Sequence, residues 1–594
     1  MKVSELKILY RNRSDQFGAT LKDVQQSIDL ISNLRLTAAI GFVVTLYFGF
    51  KEPPLLYALP AIALMFALLM QRHGKLFEKK THLTNLVQVN ELELQQLGGD
   101  LSKLDKGESF INSHHPYSHD LDIFGEGSLY QHINRNNTLY GKRKFADRLT
   151  APLPSAEAVV ENQKAINELA GKYDFRQHYQ AAGMEIEEQL HDRARLQSWL
   201  KIPTIIYGNS VFVFLLIALP VLAFLLIGGW IYWDLFKPFV FLMAAVQWGL
   251  LALRIKKVNA FHEHIGKQKN ILARYAALLH RMDGEKFESP LMQKIALSSK
   301  DAGAKVKQLA NLVYAFDARS NSLMSIFINS FLLYDLQCVY RLEKWREENA
   351  GQLIHWLDAT AETEVLCSFA TFAFNNERFT YPKIQSELGI AGKAMGHPLI
   401  PEHESVANDF KIGSGGQVLI VTGANMAGKS TFLRTVGINL ILALNGAPVC
   451  ASDFTCPIVN LRTGMRTADS LKDHQSYFYA ELDRLKGIMD ELRQNIPLLI
   501  LLDEILKGTN STDKQTGSIA LVKQLLPHPC LAIIATHDLA LGDLEKEYPN
   551  QVRNYCFEAN IENGQLSFDY TLKPGLATKM NATFLMKKMG IIPS

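Results

Sequence analysis

The stretch Gln417 to Leu433 reads QVLIVTGANMAGKSTFL, and its reading decides the fold of the C-terminal part of the chain. The aliphatic and β-branched run Val418 to Thr422 predicts a buried strand. Gly423-Ala424-Asn425-Met426-Ala427-Gly428-Lys429-Ser430 then fits G-x-x-x-x-G-K-[ST] and leads into a helical pattern from Thr431. A glycine at each end lets the backbone wrap closely around a triphosphate, with amide N–H groups and the helix N-terminus facing the anion. Gly423, Ala424, Asn425, Met426, Ala427, Gly428, Lys429, Ser430 and Thr431 are therefore the expected nucleotide-binding residues. Lys429 is expected to hold the β- and γ-phosphates and Ser430 to ligate Mg²⁺.

Working outward, Leu498 to Glu504 reads LLILLDE, an apolar strand ending in two acids. Asp503 is placed to join the Mg²⁺ shell, and Glu504 to polarise the attacking water. A third strand, Leu531 to Ala535, ends in Thr536-His537-Asp538, which puts His537 on the ligand edge of a doubly wound sheet. Glu504 and His537 are the expected catalytic pair, ATP and Mg²⁺ the expected cofactors. From Gly389 onward, short β-branched runs alternate with helices, the pattern of an α/β domain with a parallel sheet.

These three sites follow one another in the order found in ABC-type ATPases. Gly423 to Ala443, Asp503 to Asp513 (DEILKGTNSTD) and Ala535 to Leu541 (ATHDLAL) closely resemble the ATPase domain of the MutS mismatch-repair family. That family's loop usually reads GPNMGGKST, so Ala424 and Ala427 are departures, while the family-typical Asn425 and Met426 remain. Its next segment usually reads G-R-G-T-S-T-x-D-G, against which Lys507 to Asp513 is altered in alignment. Gln475 to Glu481 resembles the S-x-F-x-x-E element, which implies that Ser476 reaches the nucleotide of a dimer partner. Lys573 to Pro593 resembles the family's dimerising tail. Leu129 to Leu153 looks like the start of the MutS core domain, with Asn134, Thr138, Gly141 and Arg143 matching N-x-x-x-T-x-x-G-x-R; Trp356 to Phe374 resembles the lever that returns to the ATPase. The resemblance spans roughly 125–200 and 260–594. It implies a P-loop ATPase acting as a homodimer, with DNA binding and mismatch repair as the family role. Nothing at the N-terminus resembles the mismatch-reading domain. Phe124-Gly125-Glu126 has the letters of that domain's Phe-x-Glu but sits at the edge of the core, and reads as coincidence.

Composition sets the remaining bounds. At about 150 residues per domain, 594 residues imply roughly four units. The balance of 62 Lys+Arg against 59 Asp+Glu excludes a disordered polymer and a histone-like basic protein, and leaves any DNA grip to local surfaces. Lys267, Lys269, Arg274 and Arg281 are candidates for such a surface, against the plainer reading of a solvated helix face. The mean hydropathy of -0.00 is high for so charged a chain and traces to two apolar hairpins. Ile202 to Trp233 carries no charge, and Leu235 to Leu253 carries only Lys237, so 203–253 reads as a transmembrane hairpin with Trp230, Trp233 and Trp248 suited to its interfaces. The earlier runs, 36–50 and 53–71, are weaker. The first covers about 22 Å as a helix, short of the roughly 30 Å hydrocarbon core. Lys and Arg cluster before Leu36, at 72–80 and after Leu253, which by the positive-inside rule puts the ATPase on the cytoplasmic side of the cell inner membrane. No cleaved secretory signal is read at the N-terminus. The six cysteines, without C-x-x-C spacing, suit a reduced compartment.

The expected architecture is thus an α/β P-loop NTPase (ABC-like) domain, C-terminal to an all-α core/lever domain, with transmembrane helical hairpins. Its parts are 1–80 with the first hairpin, 81–200 as the first helical part, 203–253 as the second hairpin, 254–388 as the second helical part, and 389–594 as the ATPase. Two other functions stay open: a membrane-bound mechanical or scaffolding ATPase without nucleic acid, and an ABC-type transporter. Against the latter stands the lack of an LSGGQ-like signature between Lys429 and Asp503.

Overall fold

The computed structural model describes residues 2–185, 192–266, 268–413, 417–466, 477–506, 510–562 and 565–577. The α/β part contains ten strands: β1 (Lys383–Ile384), β2 (Gly389–Met395), β3 (Asn408–Gly413), β4 (Val418–Gly423), β5 (Asp453–Cys456), β6 (Asn460–Gly464), β7 (Leu498–Asp503), β8 (Cys530–Thr536), β9 (Val552–Glu562) and β10 (Gln565–Pro574). They form a six-stranded sheet in the order β10-β9-β4-β8-β7-β6 and a smaller sheet in the order β1-β5-β2-β3. In the large sheet only β10 runs antiparallel. β4 and β8 are buried along their whole length, and β7 up to its terminal Asp503, as continuous apolar runs inside a two-sided parallel sheet should be.

Before the α/β part the chain is helical. Its axis is the helix Tyr334–Asn375, of 42 residues and so about 60 Å long, buried at most positions along its course. This helix, called the lever helix below after the expected lever segment Trp356 to Phe374 that it contains, is fixed near its start by the second apolar hairpin: Glu343 accepts hydrogen bonds from the amides of Ile205, Ile206 and Tyr207, and Gln337 donates to the Leu216 carbonyl. At its far end it is fixed by the first hairpin, where the Tyr10 hydroxyl donates to Asn375 and Asn375 donates to Glu93. Glu93 in turn pairs with Arg135, both nearly fully buried.

The core motif read as Asn134, Thr138, Gly141 and Arg143 has a packing reason. Thr138 caps the helix Leu139–Thr150 by accepting from the Gly141 amide. Glu364, on the lever helix, accepts from the amides of Asn137 and Thr138 and from the Thr138 hydroxyl. A Cβ at position 141 would collide with Glu364 Oε2, so only glycine admits the carboxylate. Gly141→Val is expected to overfill this joint and unseat the buried carboxylate, lowering stability by about 3 kcal/mol, readable as a fall in the melting midpoint.

The first hairpin differs from its expected extent. The runs 36–50 and 53–71 are the turn ends of two long helices, Val3–Gly49 and Leu59–Leu97, and the second continues across residue 80 without a break. Asn85 donates to the Ala181 carbonyl, and Tyr179 two residues before it donates to that of Thr360, so the pair runs back along the lever helix toward the second hairpin. Local hydropathy marks only the apolar ends of these helices; their charged halves are helical because they pack on the core. Among the described residues, four segments are long and apolar enough to cross a membrane by length and composition: Val3–Gly49, Pro53–Leu97, Ser210–Tyr232 and Asp234–Ala252.

Candidate nucleotide site

Register brings the expected residues to one sheet edge. β8 lies between β4 and β7, with Thr422 opposite Thr536 and Asp503 opposite Ala535. The loop after β4, the acids ending β7 and His537 after β8 therefore emerge side by side, at the carboxyl end of the strands where open α/β sheets bind ligands.

The loop from Gly423 to Gly428 leads into the helix Lys429–Leu444. Gly423 has φ +150 and Gly428 φ +107; a Cβ on Gly423 would meet the Phe557 carbonyl at 2.6 Å. Both glycines are thus demanded by the backbone. Ala424 and Ala427 have no positive φ, so alanine costs the backbone nothing there. Met426, at φ +66, is 80% exposed at the tip of the loop. The Lys429 ammonium, nearly buried, lies at the centre of the loop and donates to the carbonyls of Gly423 (2.7 Å) and Ala424 (3.0 Å).

The Ser430 hydroxyl donates to Asp503 Oδ2 at 2.5 Å, which puts the two expected Mg²⁺ ligands together. Glu504 Oε1 lies 2.9 Å from His537 Nε2, and that ring nitrogen is 3.3 Å from Lys429 Nζ. Glu504 is held in the left-handed region (φ 57), as is Leu506 (φ 60). That conformation costs a non-glycine residue about 1 kcal/mol or more and persists only where neighbours impose it. Here the Glu504 amide donates to the Ala535 carbonyl, and the Leu506 amide to Glu481 Oε1.

A cavity of about 630 Å³ opens over these groups, large enough for a nucleotide. Its opposite wall includes His397, Asn408 and Tyr570, none of them marked by a local motif as a ligand residue. Asn408 fixes this wall by donating to the Tyr570 carbonyl and accepting from the Leu572 amide, which ties β3 to β10. Burial, with the nearby Arg434 guanidinium, pulls the His397 imidazole down to about 4, so it is neutral at physiological pH.

Another residue outside the sequence-level expectations is Asp120, in a strap from Pro116 to Asp122 that crosses the end of β6. It is 2% exposed and accepts from the Thr463 hydroxyl, the amides of Met465 and Arg466, and the Arg484 guanidinium. Asp122 pairs with Arg466 and Arg434. The P-loop helix is also tied to the core at its far end, where Asn445 donates to the Arg148 carbonyl and its own carbonyl accepts from Asn162. Sequence offers only a faint signal for the strap, two acids two positions apart around Leu121.

Ser476, Lys507 to Thr509, Lys267 and the tail from 578 lie outside the described residues. The remaining candidate DNA cations are engaged within the chain: Lys269 sits 3.4 Å over the Tyr314 ring, Arg274 pairs with Glu185, and Arg281 contacts His82. Phe124 packs against Phe110 and Tyr130, which makes it a core aromatic.

Comparison with known proteins bears on the same region. Residues 419–593 match the family model "MutS domain V". The chain is 32% identical over 244 residues to the "DNA mismatch repair protein MutS" of Chloroflexus aurantiacus, covering 40% of this chain and 25% of that protein. It is 32% identical over 266 residues to the protein of that name from Halalkalibacterium halodurans (43% and 30%), and 28% identical over 239 residues to the one from Thermotoga maritima (40% and 30%). The chain thus spans about a quarter to three tenths of the length of these relatives. Its C-terminal part is a MutS-type, ABC-like ATPase domain.

Proposed function

We propose that the chain is a membrane-held MutS-type ATPase that works as a homodimer, using ATP binding and hydrolysis to move its helical lever, with DNA as the partner on which the lever acts. The observation that carries the ATPase part is the convergence of Lys429, Ser430, Asp503, Glu504 and His537 on one cavity. The fit to a nucleotide rests on the two glycines whose missing Cβ leaves the loop free to close on phosphate, and on the Ser430–Asp503 oxygen pair, a hard donor set suited to Mg²⁺. Bound there, Mg²⁺ would supply charge neutralisation at the phosphates. Lys429 binds the β- and γ-phosphates. Glu504 orients the attacking water and takes its proton at the carboxylate, and His537 holds that carboxylate in place through the 2.9 Å contact. Ser476 of each chain is assigned to the partner's nucleotide.

Membrane attachment is supported by the four apolar segments, and by the place of the second hairpin at the start of the lever helix. The ATPase then faces the cytoplasm, at the inner membrane. DNA, and mismatch repair with it, is supported by the names of the similar proteins. A second reading, a mechanical or scaffolding ATPase without nucleic acid, is favoured by the engagement of Lys269, Arg274 and Arg281 within the chain.

Phosphate release by the detergent-solubilised full chain separates the two readings. DNA as partner predicts turnover raised several-fold by duplex, mismatched or branched DNA. Turnover indifferent to DNA of every structure, yet abolished by Lys429→Ala, would leave the mechanical reading standing.

A further inference from the structure

We infer that the helix Ser322–Leu332 is a third membrane element, lying in the boundary between lipid headgroups and acyl chains beside the second hairpin. The inference rests on the membrane reading of that hairpin and assigns a lipid surface to a segment too short to be a membrane span.

From Ser320 to Tyr334 the chain carries no charge, reading SNSLMSIFINSFLLY. An apolar helix of 11 residues is about 16 Å long, too short to cross the bilayer and of the length expected for an interfacial segment. Its polarity is inverted relative to a water-facing helix. Asn329 is 1% exposed; its side chain donates to the Ser325 carbonyl and accepts from the Asp335 amide. Ser330 accepts from the Trp248 indole of the second hairpin at 3.0 Å. The outward positions are instead Met324, Ile326 and Phe327, at 55%, 54% and 70% exposure. A helix that turns Asn329 and Ser330 to partners within the chain and presents large apolar side chains outward suits a surrounding apolar solvent and not water.

Continuity names the occupant. The helix packs against both hairpin helices, so its exposed face extends the hairpin's own apolar surface, where Phe214, Ile217 and Val221 are likewise exposed. Lys256 and Lys257, exposed just beyond the hairpin, suit the anionic headgroup level. The inward polar groups are local to this helix, its neighbour Asp335 and Trp248, so its seat does not depend on a partner chain. Leu333, at φ 48, then turns the chain directly into the lever helix.

The test places a bimane fluorophore on Phe327→Cys, and separately on Met324→Cys, in the full-length protein reconstituted in phosphatidylcholine–phosphatidylglycerol vesicles. Of the native thiols, five are buried and Cys450 is half-buried, and wild type carried through the same labelling gives the blank. Val221→Cys marks the hairpin, and Leu297→Cys, 74% exposed on the helix Pro290–Ser298, marks an aqueous apolar side chain. Lipids with a nitroxide high on the acyl chain are expected to quench the labels at 327 and 324 several-fold more than the label at 297, and more than lipids with a deep nitroxide do. Quenching at 221 with none at 327 or 324 would overturn the inference while the membrane reading stood; disulfide crosslinking of Phe327→Cys between copies in that case would identify a second chain as the occupant. No quenching at 221 either would overturn the membrane reading itself.

Discussion

Glu504→Gln is expected to cut ATP turnover by about 10³-fold while leaving ATP binding within a few-fold of wild type. The amide keeps the size of the side chain and its ability to contact His537, so the left-handed backbone at position 504 and the Ser430–Asp503 pair one residue away are preserved. What is lost is the proton acceptor. Phosphate release under saturating ATP reads the turnover, and fluorescent-nucleotide titration reads the binding. Because binding survives and hydrolysis does not, the variant should accumulate as a nucleotide-loaded dimer in light scattering. Normal turnover would remove Glu504 from the role of base. His537→Ala is the companion measurement: it should lower turnover less, since it acts on the position of the carboxylate and not on its basicity.

Asp120→Ala is expected to lower stability by about 3–5 kcal/mol, because four donors on the ATPase domain lose one buried acceptor and the Arg484 guanidinium loses its anion. The backbone amides of Met465 and Arg466 would then be left unsatisfied beneath the strap. Differential scanning fluorimetry should show an earlier transition, and limited proteolysis should open cleavage in the strap. Asp120→Asn, which keeps one acceptor oxygen and the side-chain volume, should recover part of the loss. A melting curve unchanged by Asp120→Ala would mean that the strap is held by Asp122 and by its backbone carbonyls, which accept from Thr463, Arg434 and Arg466.

The legible parts of the site were those set by adjacent residues. A buried strand, a loop with glycine at each end and Lys-Ser at a helix start dictate one another's geometry within a dozen positions, so Gly423 to Ser430 could be read directly. Asp503, Glu504 and His537 were readable for a related reason, since each terminates an apolar run that has few other ways to fold. The lever helix and the joint at Thr138 and Gly141 could be located by pattern, but the pattern did not contain its cause. That cause is Glu364, more than 220 positions away in sequence.

Sequence by itself therefore determined the α/β ATPase domain, the loop with glycine at each end, the acids that close β7, and the presence of apolar segments, all properties of local order and side-chain type. Only the tertiary structure decided the rest. It set the strand order that places His537 between the loop and the acids, the strap whose Asp120 meets Thr463 across 343 positions, and the internal pairing of Arg274. It also turned the polar side of Ser322–Leu332 inward. The physical reason is common to these cases: a side chain's partner, and the solvent its helix face meets, depend on which distant segments folding brings alongside, and neither spacing nor hydropathy along the chain encodes that choice.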